Sequence, residues 1–185
     1  MDERAGWLTE GVAGPAAGHE DVLRLVLDAT RPEPGGRVLA RAVACELCGP
    51  EGGGFEVAKG ECFCVGCCIP VGIVDGGMEP DAYPWRLEAG GAPLPPASPG
   101  PGFEPSDLPE CPWGHGVLDV AAAFAFAADG TTVRAVSVGL KCPEDGALLL
   151  YVDNARVVPR PCACSGPGAT CRGPEQVQGR VQEGA

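Results

Sequence analysis

Two histidines in 185 residues leave this chain almost without imidazole, and aromatic side chains are scarce as well, at 5%. An activated cysteine nucleophile would have only His19 and His115 as bases, and no nucleophile motif frames either. The sequence also lacks a phosphate loop, a dinucleotide fingerprint and an HExxH pair. Binding, rather than catalysis on a small-molecule substrate, is the expected activity. No stretch approaches eighteen apolar residues, so no membrane-spanning helix is expected. Met1-Asp2-Glu3-Arg4 has neither a basic region leading into an apolar run nor a glycine for myristoylation, and no CaaX box closes the sequence. These absences point to a reducing compartment, with any membrane association indirect. Basic residues are few too: 13 Lys and Arg face 25 Asp and Glu, a net charge of −12. Nucleic acid and anionic lipid both need clustered cations to displace counterions, which argues against either as an unaided partner.

What the chain has in quantity is cysteine, glycine and proline, at 11, 29 and 20 residues. In a reducing compartment clustered cysteines read as metal ligands or free thiols rather than disulfides. A small domain often needs such a staple, because its core alone buries too little surface. The charge is uneven: residues 1–112 carry 18 acidic and 7 basic residues, whereas residues 113–185 carry 7 and 6. An acidic first half favours a basic partner surface, or is simply a solvated face.

The pattern divides the chain into five segments: a mobile lead-in over 1–17, a helix and cysteine-cluster unit over 18–88, a proline-rich linker over 89–112, an antiparallel β-meander over 113–158 and a flexible tail over 159–185. Val22, Leu23, Val26 and Leu27 fall on one stripe at helical spacing, with Glu20 and Asp21 placed to favour the positive end of a helix. The spacing predicts a helix over 20–29, ended by Pro32, Pro34, Gly35 and Gly36. An apolar run over 37–44 reads as a strand. Eight prolines in residues 89–112 mark the linker. Beyond it, Phe124 and Phe126 alternate, Asp129-Gly130 signals a hairpin, and Thr132, Arg134, Val136, Val138 and Leu140 share one face. With the turn at 143–146 these give three strands, and the fold class is α+β. Trp85 and Trp113 flank the linker as anchors for a partner or for the linker itself, and Trp7 lies where little is available to bury it.

Cys45-Glu46-Leu47-Cys48 is followed, after fifteen intervening residues, by Cys64-Val65-Gly66-Cys67, the spacing of a structural zinc site. Two residues between cysteines let backbone amides turn toward the sulfurs, and two such corners make a tetrahedron around Zn²⁺. Cys62 and Cys68 flank the second pair and compete as ligands, since Cys62, Cys64 and Cys68 form a C-x-C-x3-C set of their own. A second metal or thiol cluster is a candidate around Cys111 and His115, with Cys142, Cys162, Cys164 and Cys171 as further members, although these spacings match no zinc template.

In order and spacing, the helix, the Cys45/Cys48 pair, the Gly-rich segment, the Cys62/Cys64/Cys68 triplet and the late Cys162-Ala163-Cys164 resemble the C-terminal half of the herpesvirus cytoplasmic envelopment protein 2 family. The resemblance covers residues 20–165. Phe55-Glu56-Val57 stands where the family has a histidine, and Cys67 is additional. The resemblance implies a non-enzymatic virion tegument protein, acting in the host cytoplasm or nucleus, that joins capsid to membrane-associated tegument partners during envelopment. A zinc-containing regulator of host transcription or ubiquitination is the alternative, because Cys45, Cys48, Cys62, Cys64 and Cys67 imitate the first ligands of a RING. No later C-x2-C pair completes a cross-brace.

Overall fold

The structure is a computed structural model, and it describes residues 7–9, 18–49, 53–58, 61–72, 85–89, 92–93 and 109–159. Helix α1 (Glu20–Ala29) is accompanied by ten strands: β1 (Trp7–Leu8), β2 (Arg37–Ala42), β3 (Phe55–Ala58), β4 (Glu61–Cys64), β5 (Pro70–Gly72), β6 (Trp85–Ala89), β7 (Ala92–Pro93), β8 (Val117–Phe126), β9 (Val133–Lys141) and β10 (Leu148–Pro159). All the described pairings are antiparallel, in the order β5-β4-β3-β8-β9-β10-β6-β7, with β1 on β10 and β2 on β8. The expected α+β class holds at this level.

Alternation explains the centre of the sheet. Along β8 and β9, Leu118, Val120, Val136, Val138 and Leu140 point into one buried cluster, while Ala121, Ala123, Ser137 and Gly139 face α1. The helix face is built of small residues, and the helix approaches closely enough that a Cβ on Gly139 would lie 2.8 Å from Val26 Cγ1. Val22 and Val26 are wholly buried there, each worth roughly 1.5–3 kcal/mol of apolar burial. A polar seam crosses the same layer. The Asn154 N–H donates to Ser137 Oγ at 3.0 Å, the Ser137 and Thr30 hydroxyls are 2.7 Å apart, and Thr30 Oγ1 donates to the Val26 carbonyl at 2.6 Å.

The first-half unit and the meander share one sheet. β2 pairs with β8 from Arg37↔Phe126 to Ala42↔Ala121, and β3 returns to pair Phe55 with Leu118 and Glu56 with Val117. The chain thus leaves the sheet beside β8 at Val43 and rejoins it at Phe55, and the first cysteine pair belongs to this detour. Within 89–112, Ala92–Pro93 forms a hairpin with β6 and Cys111 is wholly buried, so those parts of the proline-rich segment belong to the folded body. Trp7, expected to find little cover, pairs opposite Leu149 and packs half-buried on the core. The expected tail lies outside the described residues, apart from Pro159 at the end of β10. Among the described residues, no helix is long and apolar enough to cross a membrane.

Candidate metal centre

The Cys45–Cys48 corner closes by a hydrogen bond from the Gly49 N–H to the Cys45 carbonyl at 2.8 Å, with Gly49 at φ +67°. The Cys64–Cys67 corner repeats this, the Cys68 N–H reaching the Cys64 carbonyl at 2.7 Å with Cys68 at φ +58°. A left-handed residue after the second cysteine is what bends each turn back on its first cysteine. At the first corner the Cys48 N–H also points at Cys45 Sγ, 3.5 Å away. The two corners meet. The Sγ atoms of Cys45, Cys48, Cys64 and Cys67 lie within 4.8 Å of one another, with Cys45 and Cys67 at 3.4 Å. Four thiolates around Zn²⁺ at ~2.3 Å would be about 3.8 Å apart, so this packing is close to that of a filled tetrahedron.

Of the six cysteines expected here, the structure brings these four together. Cys62 lies opposite Val57 and Val71 in the sheet and is buried in the apolar core. Cys68 is exposed and takes in its turn the place that Gly49 takes in the first. Among the described residues, all eight cysteines are thiols without disulfides.

The charges of the tetrad oppose one another. The backbone N–H of Cys48, acting against burial and helped by the Cys67 thiol, holds the Cys45 thiol down to about 7. The neighbouring thiols of Cys67 and Cys64, then burial and the Cys45 charge, push Cys48 up to about 12. For Cys67 the Ile69 N–H favours the thiolate, but burial and Cys45 outweigh it and the thiol is raised. One thiolate therefore forces its neighbours to keep their protons, a conflict that a divalent cation removes.

His19 stands at the start of α1 with Nε2 3.7 Å from Asp119 Oδ1, beside a crevice of about 250 Å3 that Cys45 and Cys64 also line. A second group gathers at the C-terminal end of β9, where Cys111 and Cys142, both wholly buried, meet His115 and Asp145. Burial first, then hydrogen bonds with Asp145 and Cys111, push the Cys142 thiol up to about 12. Burial opposes ionisation of Asp145, yet hydrogen bonds from the Cys111 thiol and the Ala147 N–H, with Cys142 and His115, hold its carboxyl below the usual range. Cys162, Cys164 and Cys171, expected as further members, lie outside the described residues. Asp145 escaped the sequence pattern because a carboxylate in a Pro-Glu-Asp-Gly turn is commonplace; the overlooked signal was C-x2-D-G echoing C-x2-C-G.

Trp113 stands exposed between Cys111 and His115, and Leu47, Val65 and Ile69 are exposed on or beside the two corners of the tetrad. Comparison with protein-family models, with curated proteins and with solved structures returned no match.

Proposed function

We propose that this chain is a zinc-stapled, non-enzymatic adaptor, and that it serves in a herpesvirus tegument to link capsid to membrane-associated tegument partners during envelopment. The observation that carries the adaptor reading is the meeting of four sulfurs, from Cys45, Cys48, Cys64 and Cys67, at the corners of two matched turns. A metal held there would be structural: four protein ligands leave no open position for substrate or water. Its effect would be to fix the exposed apolar residues Leu47, Val65 and Ile69 on a rigid support, where their burial against a partner costs little ordering. The tegument assignment adds the order and spacing of the helix and cysteines to this.

The alternative of a RING-like ubiquitination or transcription regulator draws less support. A cross-brace interleaves its ligand pairs along the chain, whereas here Cys45/Cys48 meets Cys64/Cys67 before Cys111 and Cys142 are reached.

The test is recovery of partners by the tagged full chain from herpesvirus-infected cells, with zinc content measured on the same protein. Capsid and tegument proteins recovered by the wild type and lost by a Cys45→Ser, Cys67→Ser variant are the expected result. Ubiquitin-conjugating enzymes in their place would transfer the assignment to the alternative, and recovery of neither class would sink both.

A further inference from the structure

We infer that Cys111, His115, Cys142 and Asp145 form a second zinc site, with Asp145 as a ligand in the position that a cysteine occupies at the first. The inference stands on its own geometry and is independent of the tegument assignment.

The first support is convergence. All four donor atoms lie within 4.8 Å of one another. His115 Nδ1 is 3.4 Å from Cys111 Sγ, 3.4 Å from Cys142 Sγ and 3.1 Å from Asp145 Oδ2, while Cys111 Sγ is 2.9 Å from the same Oδ2. Tetrahedral zinc with ordinary Zn–S, Zn–N and Zn–O bonds sets such edges at about 3.4–3.6 Å, so the group is a slightly contracted version of a filled site. The histidine contacts all three partners through one nitrogen. A catalytic relay would place the thiol on one ring nitrogen and the carboxylate on the other; contacts that share Nδ1 describe groups gathered around a point.

The second support comes from the backbone, which does not depend on where the side chains sit. Cys142-Pro143-Glu144-Asp145-Gly146 repeats the turn of the first centre: the Gly146 N–H donates to the Cys142 carbonyl at 2.9 Å, and Gly146 has φ +81°. The Cys142 N–H reaches the Ala147 carbonyl at 2.9 Å, as the Cys64 N–H reaches the Ile69 carbonyl at 3.2 Å. Counted from the first cysteine of each turn, Asp145 takes the position that Cys48 and Cys67 take. The Cys111 turn is a shorter relative, closed by the Gly114 N–H on the Cys111 carbonyl at 2.8 Å, with the His115 N–H aimed at Cys111 Sγ at 3.4 Å. The carboxylate is also oriented for single-oxygen ligation, because Oδ1 accepts the Ala147 N–H at 2.8 Å and Oδ2 faces the group.

Two sulfurs, one imidazole and one carboxylate suit borderline-soft zinc and exclude the all-oxygen preference of magnesium and calcium. Binding releases the thiol protons of Cys111 and Cys142, and the two thiolates and the carboxylate leave the filled site one negative charge.

The full chain, purified in reductant and stripped of metal, should be titrated with zinc and with cobalt(II), following bound equivalents by mass spectrometry and the cobalt charge-transfer absorption. Two equivalents are expected in the wild type. Asp145→Asn and His115→Ala should each keep one equivalent and bind the other more than about tenfold more weakly, since even outer-shell changes cost that much. Asp145→Cys should keep both and increase the thiolate-to-cobalt absorption, which guards against a variant that merely fails to fold. A Cys45→Ser, Cys64→Ser chain should retain the second equivalent, separating this site from the first. A single equivalent in the wild type, unchanged affinity in Asp145→Asn and His115→Ala, or an unchanged cobalt spectrum in Asp145→Cys would each overturn the inference.

Discussion

The central meander and the cysteine lobe solve the same problem with different means. β8, β9 and β10 are 10, 9 and 12 residues long and bury Leu118, Val120, Val138 and Leu140 against one another, with α1 packed on the other face. β3, β4 and β5 have 4, 4 and 3 residues, and the buried positions described among them are Phe55, Val57, Cys62 and Cys64. Strands that short offer little apolar area to offset the cost of ordering backbone, of order 1–2 kcal/mol per residue. The difference teaches where a metal would matter: the meander's long strands bury a core among themselves, whereas the short strands of the lobe contribute little apolar area of their own.

Zinc removal should expose that difference most sharply. On chelation, or in Cys64→Ser, amide hydrogen exchange is expected to lose protection over β4 and β5 while α1 and residues 117–159 keep theirs, the lost binding free energy being on the order of 10 kcal/mol if the tetrad holds structural zinc. Uniform loss along the chain would abolish the distinction. Next in size is Gly139→Ala, which places a methyl 2.8 Å from Val26 Cγ1 and 3.0 Å from Val22 Cγ2. An unfolding free energy lowered by about 1–3 kcal/mol is expected, with any metal content unchanged, because overpacking strikes the meander alone. A smaller effect belongs to Asp129, whose carboxylate accepts the Thr131 and Thr132 N–H groups at 2.8 Å and the Thr132 hydroxyl at 2.6 Å. The Thr132 hydroxyl and the two N–H groups hold its pKa well below the ordinary value. A depressed folded-state pKa contributes stability that is complete above the unfolded value of about 3.9 and is lost as pH falls from there through the lower folded value. Asp129→Asn should therefore lower the melting temperature at pH 7 and close the gap with wild type toward pH 2; a gap independent of pH would remove the carboxylate from the account.

The same contrast governs what could be read from the amino-acid sequence. The helix is found at Glu20–Ala29, the residues its apolar stripe marked out, and the three long strands follow their alternation because one residue period decides each face. Cys45, Cys48, Cys64 and Cys67 were legible as a set from spacing. Their separation from Cys62 and Cys68 was not, since it depends on strand phase at Cys62 and on a left-handed backbone at Cys68. The short strands β3 to β7 carry too few residues for a period to register, and the pairings that join them to the long strands, β3 with β8 and β6 with β10, lie far along the chain. For the same reason the proline-rich segment hid Cys111, which is buried by its neighbours in space rather than in sequence.

The shared edge of β8 has a further consequence. Val43 donates to the Val120 carbonyl at 2.8 Å and Phe55 rejoins opposite Leu118, so the detour that bears Cys45 and Cys48 is cinched at its neck by the sheet itself. Loop-closure entropy for that detour is met by β pairing before any ion arrives. The first two sulfurs are thereby tethered near the second pair at a high effective concentration, so an ion would meet a chelator already half assembled. A chain so arranged would take up a metal ion as a clasp closes on a bracelet already round the wrist, without having to thread it first.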